Sequence, residues 1–308
     1  MSDLVKPLSD VSKLWLTPTN PLREETIQAL QVSTGFSRHQ IELALTNCFE
    51  ELTEPKIKSF LGNHRANPKS KSILHVLPSN VFTSWVHGAV ITLLLGHRCL
   101  LKPSMREPVF AQAWKKSLQH IDPALAAKVE ITSWKDETVK RIDAVVAYGS
   151  DETLKKIRTE LPASIPLIGY GHKLGVAIIF EEALDGHDQD LFNRIRRDAE
   201  PFRLQGCLSP QILYVENFSF PLEHDLKMSL DVAPKIKLFV DWPEVRQALE
   251  KFDPYLSCIG FAGSQERGLF LECELRNPAR VRICPIGEMQ RPPLTWQNGG
   301  INLMDLLN

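Results

Sequence analysis

From residue 73 onward the chain alternates short apolar runs with helix-length amphipathic stretches, and few architectures accommodate that alternation. ILHVLP (73–78), CLLKPS (99–104), VEITSW (129–134), DAVVAYGS (143–150) and IPLIGYG (165–171) have strand length. TSWVHGAVITLLLG (83–96), 108–119 and DETLKKIRTEL (151–161) between them have helix length and spacing. Strands joined through helices lie parallel by right-handed crossovers, so the pattern predicts an α/β fold with a mainly parallel, Rossmann-type sheet covered on both faces. Past about residue 175 the strand-like runs KLGVAIIFEE, PQILYVEN, YLSCIGFAG, GLFLECEL and RVRICPIG outnumber helical stretches such as 188–199 and 243–252, which predicts a second, reduced α/β lobe. Helical spacing over 9–62, punctuated by Pro18, Pro21, Gly35 and Pro55, predicts a helical opening segment, and the polar stretch 62–72 a loop. The expected domains are a helical segment at 1–70, a Rossmann-type domain at 71–172, a second domain at 173–290 and a C-terminal segment at 291–308. No internal repeat is apparent.

Composition narrows the function classes. The 308 residues are 43% hydrophobic and 24% charged, with a formal net charge of −1, so no broad field attracts nucleic acid or an anionic membrane. Six cysteines stand without a C-x-x-C pair, which suggests neither a metal site nor a disulfide framework. The N-terminus lacks the pattern of a secretory leader and no apolar run reaches spanning length, so the cytoplasm is the expected location.

One cysteine differs from the rest. Cys48, Cys99, Cys258, Cys273 and Cys284 lie among apolar neighbours and read as small hydrophobes. In EPFRLQGCLSPQILYVE (200–216), Gly206 allows close backbone approach, Ser209-Pro210 turns the chain, and the strand-like run that follows fixes the Cys207 thiol at a lobe edge. Local residues alone leave a packing role and a nucleophilic role evenly balanced. Three strand ends carry polar groups: Pro78-Ser79-Asn80, Lys102-Pro103-Ser104 and Tyr148-Gly149-Ser150. Carboxyl ends of parallel strands are where such sheets take ligands, and a Gly-Ser before a helix offers N–H groups to phosphate. Taken singly, these are equally well a turn asparagine, a solvated lysine and a helix cap.

In order, however, these pieces resemble the aldehyde dehydrogenase superfamily, and most closely its LuxC-like acyl-CoA reductases: P-x-N-x, then K-P-S, then G-S opening a helix, then Gln205-Gly206-Cys207-Leu208-Ser209-Pro210-Gln211, and finally a closing stretch over 283–297. The likeness covers about residues 70–300. It implies that Cys207 attacks an acyl thioester, on coenzyme A or a carrier protein, and that NADPH reduces the resulting thioacyl-enzyme to an aldehyde. It makes Asn80 the oxyanion donor, and Lys102, Ser104, Arg106, Gly149, Ser150, Pro78 and Ser79 cofactor contacts. Glu288 resembles loosely the glutamate that holds the nicotinamide ribose. Acid-forming members carry a water-activating glutamate before the cysteine; the corresponding stretch, 168–175, has none, which favours a reductase, and His172 is its titratable group. Where NAD-preferring relatives place a glutamate, this chain has Met105 followed by Arg106, which favours NADPH over NADH. Phe82, Trp85, Phe202 and Leu208 are the suggested acyl-pocket lining. A homodimer or a partner subunit is compatible with the resemblance, and the alternatives are a cysteine-dependent acyltransferase without redox chemistry and a non-catalytic, partner-binding member.

Overall fold

A computed structural model of the chain describes residues 2–62, 69–184, 189–217, 230–274 and 280–308. Most of the loop expected at 62–72 therefore lies outside the described residues. The chain divides into two compact units, Met1–Gly171 with Pro293–Thr295 and Asn302–Asn308, and His172–Pro292 with Trp296–Ile301.

The first unit is built on strands β1 (Ser72–Val76), β2 (Arg98–Lys102), β3 (Val129–Ile131), β4 (Ala144–Tyr148) and β5 (Leu167–Tyr170), in the order β3-β2-β1-β4-β5 with every pairing parallel. Ile73, Leu74, Leu100, Leu101, Val145 and Val146 are buried in succession, as both-sided cover demands of a parallel strand. The cover comes from the crossover helices Val86–Leu94, Val109–Ile121 and Asp151–Glu160. Four helices precede the sheet: Ser2–Leu16, Pro21–Thr34, Arg38–Phe49 and Glu54–Leu61. Asn20 and Ser37 cap the second and third of them, Ser37 in a reciprocal capping box with Gln40. They dock through an aromatic cluster in which Trp15 stacks on Phe49 at 5.7 Å and meets Phe110 edge-on at 5.2 Å, while Phe82 and Trp85 pack on Phe110 and Trp114. Phe82 and Trp85 are each 1% exposed, so they build this core and do not line an acyl pocket.

The second unit repeats the plan. Strands β6 (Leu174–Ile179), β7 (Pro210–Glu216), β8 (Lys235–Phe239), β9 (Leu256–Ala262) and β10 (Arg282–Pro285) form a parallel sheet in the order β10-β9-β6-β7-β8. Counted from the first strand of each unit, both sheets read 3-2-1-4-5, a likeness of topology that leaves no repeat in the residues. In GLFLECEL, read above as a strand, residues 268–274 belong instead to the helix Gln265–Glu274, and Leu275 lies outside the described residues. β9 and β10 are parallel neighbours, and a parallel connection needs a crossover, so tertiary topology overrides the apolar run. Conversely β8, Lys-Ile-Lys-Leu-Phe, is a half-exposed edge strand whose charges hid it. Among the described residues no helix is long and apolar enough to cross a membrane.

Candidate functional site

In the first unit the motif-bearing residues gather on one edge. Val76 of β1 pairs with Lys102 of β2 and with Ala147 of β4, so the chain leaves all three strands at the same level. Pro78, Ser79 and Asn80 follow β1, Pro103 and Ser104 follow β2, and Gly149 and Ser150 follow β4. This is the carboxyl edge at the β1/β4 switch point, where the flanking strands run off in opposite directions and leave a crevice. Asn80, Arg106 and Ser150 are exposed, and Lys102 and Ser104 are half-buried. Ser104 Oγ accepts the Arg106 amide at 3.2 Å, a local turn that directs the chain after Lys102. Met105 is 95% exposed beside it. Ser150 Oγ accepts the Thr153 N–H at 3.2 Å, so its hydroxyl caps the helix. Tyr148 and Tyr170 stack at 5.0 Å on the same edge, and burial pushes the Tyr170 phenol up to about 12, which keeps it neutral.

The second unit carries the thiol at the opposite kind of edge. Cys207 precedes β7, and Lys173 and Ser257 stand at the starts of β6 and β9, so all three occupy the amino edge of the sheet. Cys207 is half-buried, and Cys48, Cys99, Cys258 and Cys284 are buried. Cys273 is exposed, because its helix turns that position to solvent and not into an apolar setting. The segment leading to Cys207 is strained: Phe202, Arg203 and Leu204 are successive left-handed residues with φ of 59°, 51° and 61°. Each costs about 1–2 kcal/mol against a right-handed conformation, so the surroundings must over-determine them.

Two features do so. Gly175 lets β6 touch the thiol loop, since a Cβ there would lie 2.6 Å from the Ser209 carbonyl oxygen and 3.1 Å from the Leu208 carbonyl carbon. Both are backbone atoms and cannot swing aside. Gly175→Ala is therefore expected to cost about 1–3 kcal/mol of stability and to slow alkylation of Cys207, checked by thermal melting and by iodoacetamide labelling. The second feature is a polar clamp. Gln290 Nε2 donates to Ser209 Oγ at 2.7 Å and to the Asp198 carbonyl at 2.9 Å, tying both ends of the loop together. Asp198 is fully buried at the end of the helix Gln189–Ala199, and its carboxylate accepts the backbone N–H groups of Gly287, Met289 and Gln290. Burial pushes this carboxyl up to about 7, against those amides and the nearby Arg282 charge.

The same balance governs Cys207. Burial raises its thiol above the ordinary value, and Ser257, its own backbone N–H and the Lys173 charge pull it back in part. His172 is exposed beside Lys173, its ring 6.3 Å from that of Tyr255. Glu288 is exposed on the turn after β10, its amide on the Pro285 carbonyl and its own carbonyl on Arg282. Sequence reasoning passed over Lys173, Ser257, Asp198 and Gln290. One signal was available: Leu191, Ile195, Asp198 and Ala199 share a helix face, so a carboxylate occupies an apolar-stripe position.

Two parallel Rossmann-like units, one with motif-bearing strand ends and one with a thiol on its amino edge, make up an aldehyde-dehydrogenase-like fold. Solved structures of that fold match nearly the whole chain. An oxidoreductase from Marinobacter aquaeolei superposes with a TM-score of 0.73 at 12% identity, covering 95% of this chain and 79% of its own. Aldehyde dehydrogenase 21 from Physcomitrella patens, in complex with succinate, gives 0.69 at 11% identity over 98% and 84%. Succinic semialdehyde dehydrogenase from Streptococcus pyogenes, in complex with NADP+, gives 0.66 at 12% identity over 92% and 82%. The acyl-CoA reductase (LuxC) family model matches residues 9–238, and the chain belongs to that family. The match thus takes in the opening helices, which the motif likeness over 70–300 had left out. Long-chain acyl-protein thioester reductases from Vibrio harveyi and Aliivibrio fischeri are 25% and 27% identical over 78% and 77% of this chain. The chain spans 57% and 55% of their lengths, little more than half.

Proposed function

We propose that the protein is an acyl thioester reductase that forms an aldehyde through a thioacyl-Cys207 intermediate. The observation that carries this reading is the Cys207 loop: a half-buried thiol on a strained turn, held by Gly175 and Gln290, in a chain of the acyl-CoA reductase family. The ionised Sγ attacks the acyl carbonyl, an S–C bond forms, and the tetrahedral oxyanion collapses with loss of the carrier thiolate. The Cys207 backbone N–H and, by the family resemblance, the Asn80 amide are the proposed donors to that oxyanion, each worth on the order of 3 kcal/mol in the barrier. The loop's rigidity holds Sγ in an attacking position.

The carboxyl edge of the first unit fits a dinucleotide: glycine and capped helix N-terminus supply phosphate donors, and Lys102 with Ser104 a ribose contact. When bound, a reduced nicotinamide supplies the hydride that converts the thioacyl group to aldehyde and returns the Cys207 thiolate. Among its residues, Lys102, Ser104, Gly149 and Ser150 bind, with Pro78 and Ser79 shaping the edge. The stretch 168–175 lacks a water-activating carboxylate, so hydrolysis of the thioacyl group has no base there. His172 is proposed to protonate the developing aldehyde or to help ionise Cys207, and Glu288 is a proposed ribose contact.

NADPH is the proposed reductant, because the exposed Arg106 and the exposed, uncharged Met105 admit a 2′-phosphate. NADPH oxidation with a panel of acyl-CoAs and an acyl carrier protein tests the reading. Consumption of NADPH matched to aldehyde supports it; an acyl adduct with no NADPH consumption would point to acyl transfer instead. Arg106→Ala is expected to raise the KM for NADPH about 10-fold or more and leave that for NADH within about 2-fold.

A further inference from the structure

Strand β9 does not run regularly. Leu256 pairs with Leu174 of β6, and Cys258 pairs with the very next β6 residue, Gly175, so Ser257 is an extra residue with no partner across the ladder. The packing shows the same break. In a regular strand residues 256 and 258 face one side, yet Leu256 packs with Val176, Tyr214 and Ile259 on one face of the sheet, and Cys258 packs with Ala177, Leu213 and Met289 on the other. β7 has a matching irregularity at the same level, with Pro210 opposite Gly175, Ile212 opposite Val176, and Gln211 unpaired. Bulges of this kind re-aim side chains and recur next to active sites.

The side chain released by the β9 bulge is unusual. Ser257 is 1% exposed, and its hydroxyl has no nitrogen or oxygen partner among the described residues. A buried hydroxyl without a partner costs about 1–3 kcal/mol, and native structures seldom tolerate one without a use for it. Ser257 stands at the amino edge, where β6 lies between its strand and β7, and Gly175, paired with Cys258 on one side and Pro210 on the other, contributes no side chain between Ser257 and the Cys207 loop. The hydrogen-bonding pull of Ser257 on the thiol favours the ionised form, as does the charge of Lys173, whose ammonium is anchored on the Pro254 carbonyl at 2.6 Å.

From the bulge, the burial and the orphaned hydroxyl, we infer that Ser257 is a catalytic residue whose Oγ–H donates to Cys207 Sγ and holds the thiolate in the attacking state. The inference rests on the reading of Cys207 as the nucleophile. In the resting thiol the hydroxyl lies unsatisfied; ionisation gives it a charged acceptor, so its desolvation is compensated only in the reactive state. When Sγ becomes acylated the acceptor charge disappears, and the bond re-forms as the thiolate is expelled with the aldehyde. Proton count is unchanged throughout, because Ser257 donates a hydrogen bond and transfers no proton.

The test is iodoacetamide alkylation of Cys207 in the full chain across pH 6 to 10, read by peptide mass spectrometry to separate it from exposed Cys273, in wild type and Ser257→Ala. Charge-assisted hydrogen bonds are worth enough that the variant should alkylate on the order of 10-fold more slowly at pH 7, with its profile displaced to higher pH. Its melting temperature should be unchanged or higher, since truncation removes an unsatisfied buried group. A profile that superposes on wild type overturns the inference. So does slow alkylation accompanied by a fall in melting temperature of more than about 4 °C, which marks a structural role. Alkylation involves neither thioester nor dinucleotide, so it decides the role of Ser257 separately from whether Cys207 accepts an acyl group.

Discussion

Cys207→Ala is expected to form no adduct in intact-mass spectra after exposure to an acyl-CoA, and to lose NADPH-dependent reduction by on the order of 10⁴-fold or more. Removing a covalent nucleophile deletes the intermediate itself, and what survives is only the acceleration due to binding and oxyanion donors. Five other cysteines do not replace it. Cys48, Cys99, Cys258 and Cys284 are buried, and burial raises the thiols of Cys48, Cys99 and Cys258 far above a reactive range. Cys273 is exposed on the helix Gln265–Glu274, outside the Cys207 loop that Gly175 and Gln290 hold. In wild type the raised thiol of Cys207 fixes the direction of the pH dependence: the thiolate fraction climbs with pH, so acylation should be slower at pH 6 than at pH 8 and keep rising into the alkaline range. An adduct of equal yield in the alanine variant would sink the covalent mechanism outright.

How much of this was legible in the residues depends on the distance over which each signal acts. The crossover pattern from 73 to 171 is local, and strands β1 to β5 follow it closely because a parallel strand buried on both faces must be continuously apolar. The placement of Lys102, Gly149 and Ser150 was readable for the same reason: each stands at or just past the end of such a run, and topology puts all those ends on one edge. The second unit resisted. Gln265–Glu274 contains an apolar run that periodicity alone cannot assign, and only the parallel pairing of β9 and β10 makes it a helix. Ser257 was invisible because a bulge is a relation between two strands, and Asp198 and Gln290 because they meet across 92 residues of chain. Aromatic Phe82 and Trp85 misled in the opposite sense: their partners are Phe110 and Trp114, and Phe110 in turn meets Trp15 and Phe49 of the opening helices, where no motif pointed.

Asp198 gives the largest expected effect on stability, and its sign is distinctive. Its carboxyl is pushed up to about 7 in the folded chain from an ordinary 3.8, so the folded state holds a proton that the unfolded state releases. Its contribution is therefore complete below about pH 4 and is lost as pH rises toward 7, a total of about 4 kcal/mol. Salt-bridged carboxylates act the other way: Glu24, held down to about 2 by Arg38, stabilises above the unfolded pKa and loses that as pH falls. The two classes overlap in a raw stability curve, and the difference between wild type and Asp198→Asn separates them. The amide cannot titrate, and one of its two faces turns an N–H toward the Gly287 amide where the carboxylate accepted, which leaves a donor unpaired at a cost of about 1–3 kcal/mol. Urea unfolding should therefore show the variant less stable than wild type at about pH 4, with the gap closing between about pH 4.5 and 6 and the order reversed by about pH 7. The thiol loop should respond too, since Gln290 spans Asp198 and Ser209, so the variant should alkylate Cys207 more slowly at pH 6. If the two stability curves run parallel from pH 4 to 8, Asp198 is ionised throughout the folded range, and the three backbone amides outweigh its burial.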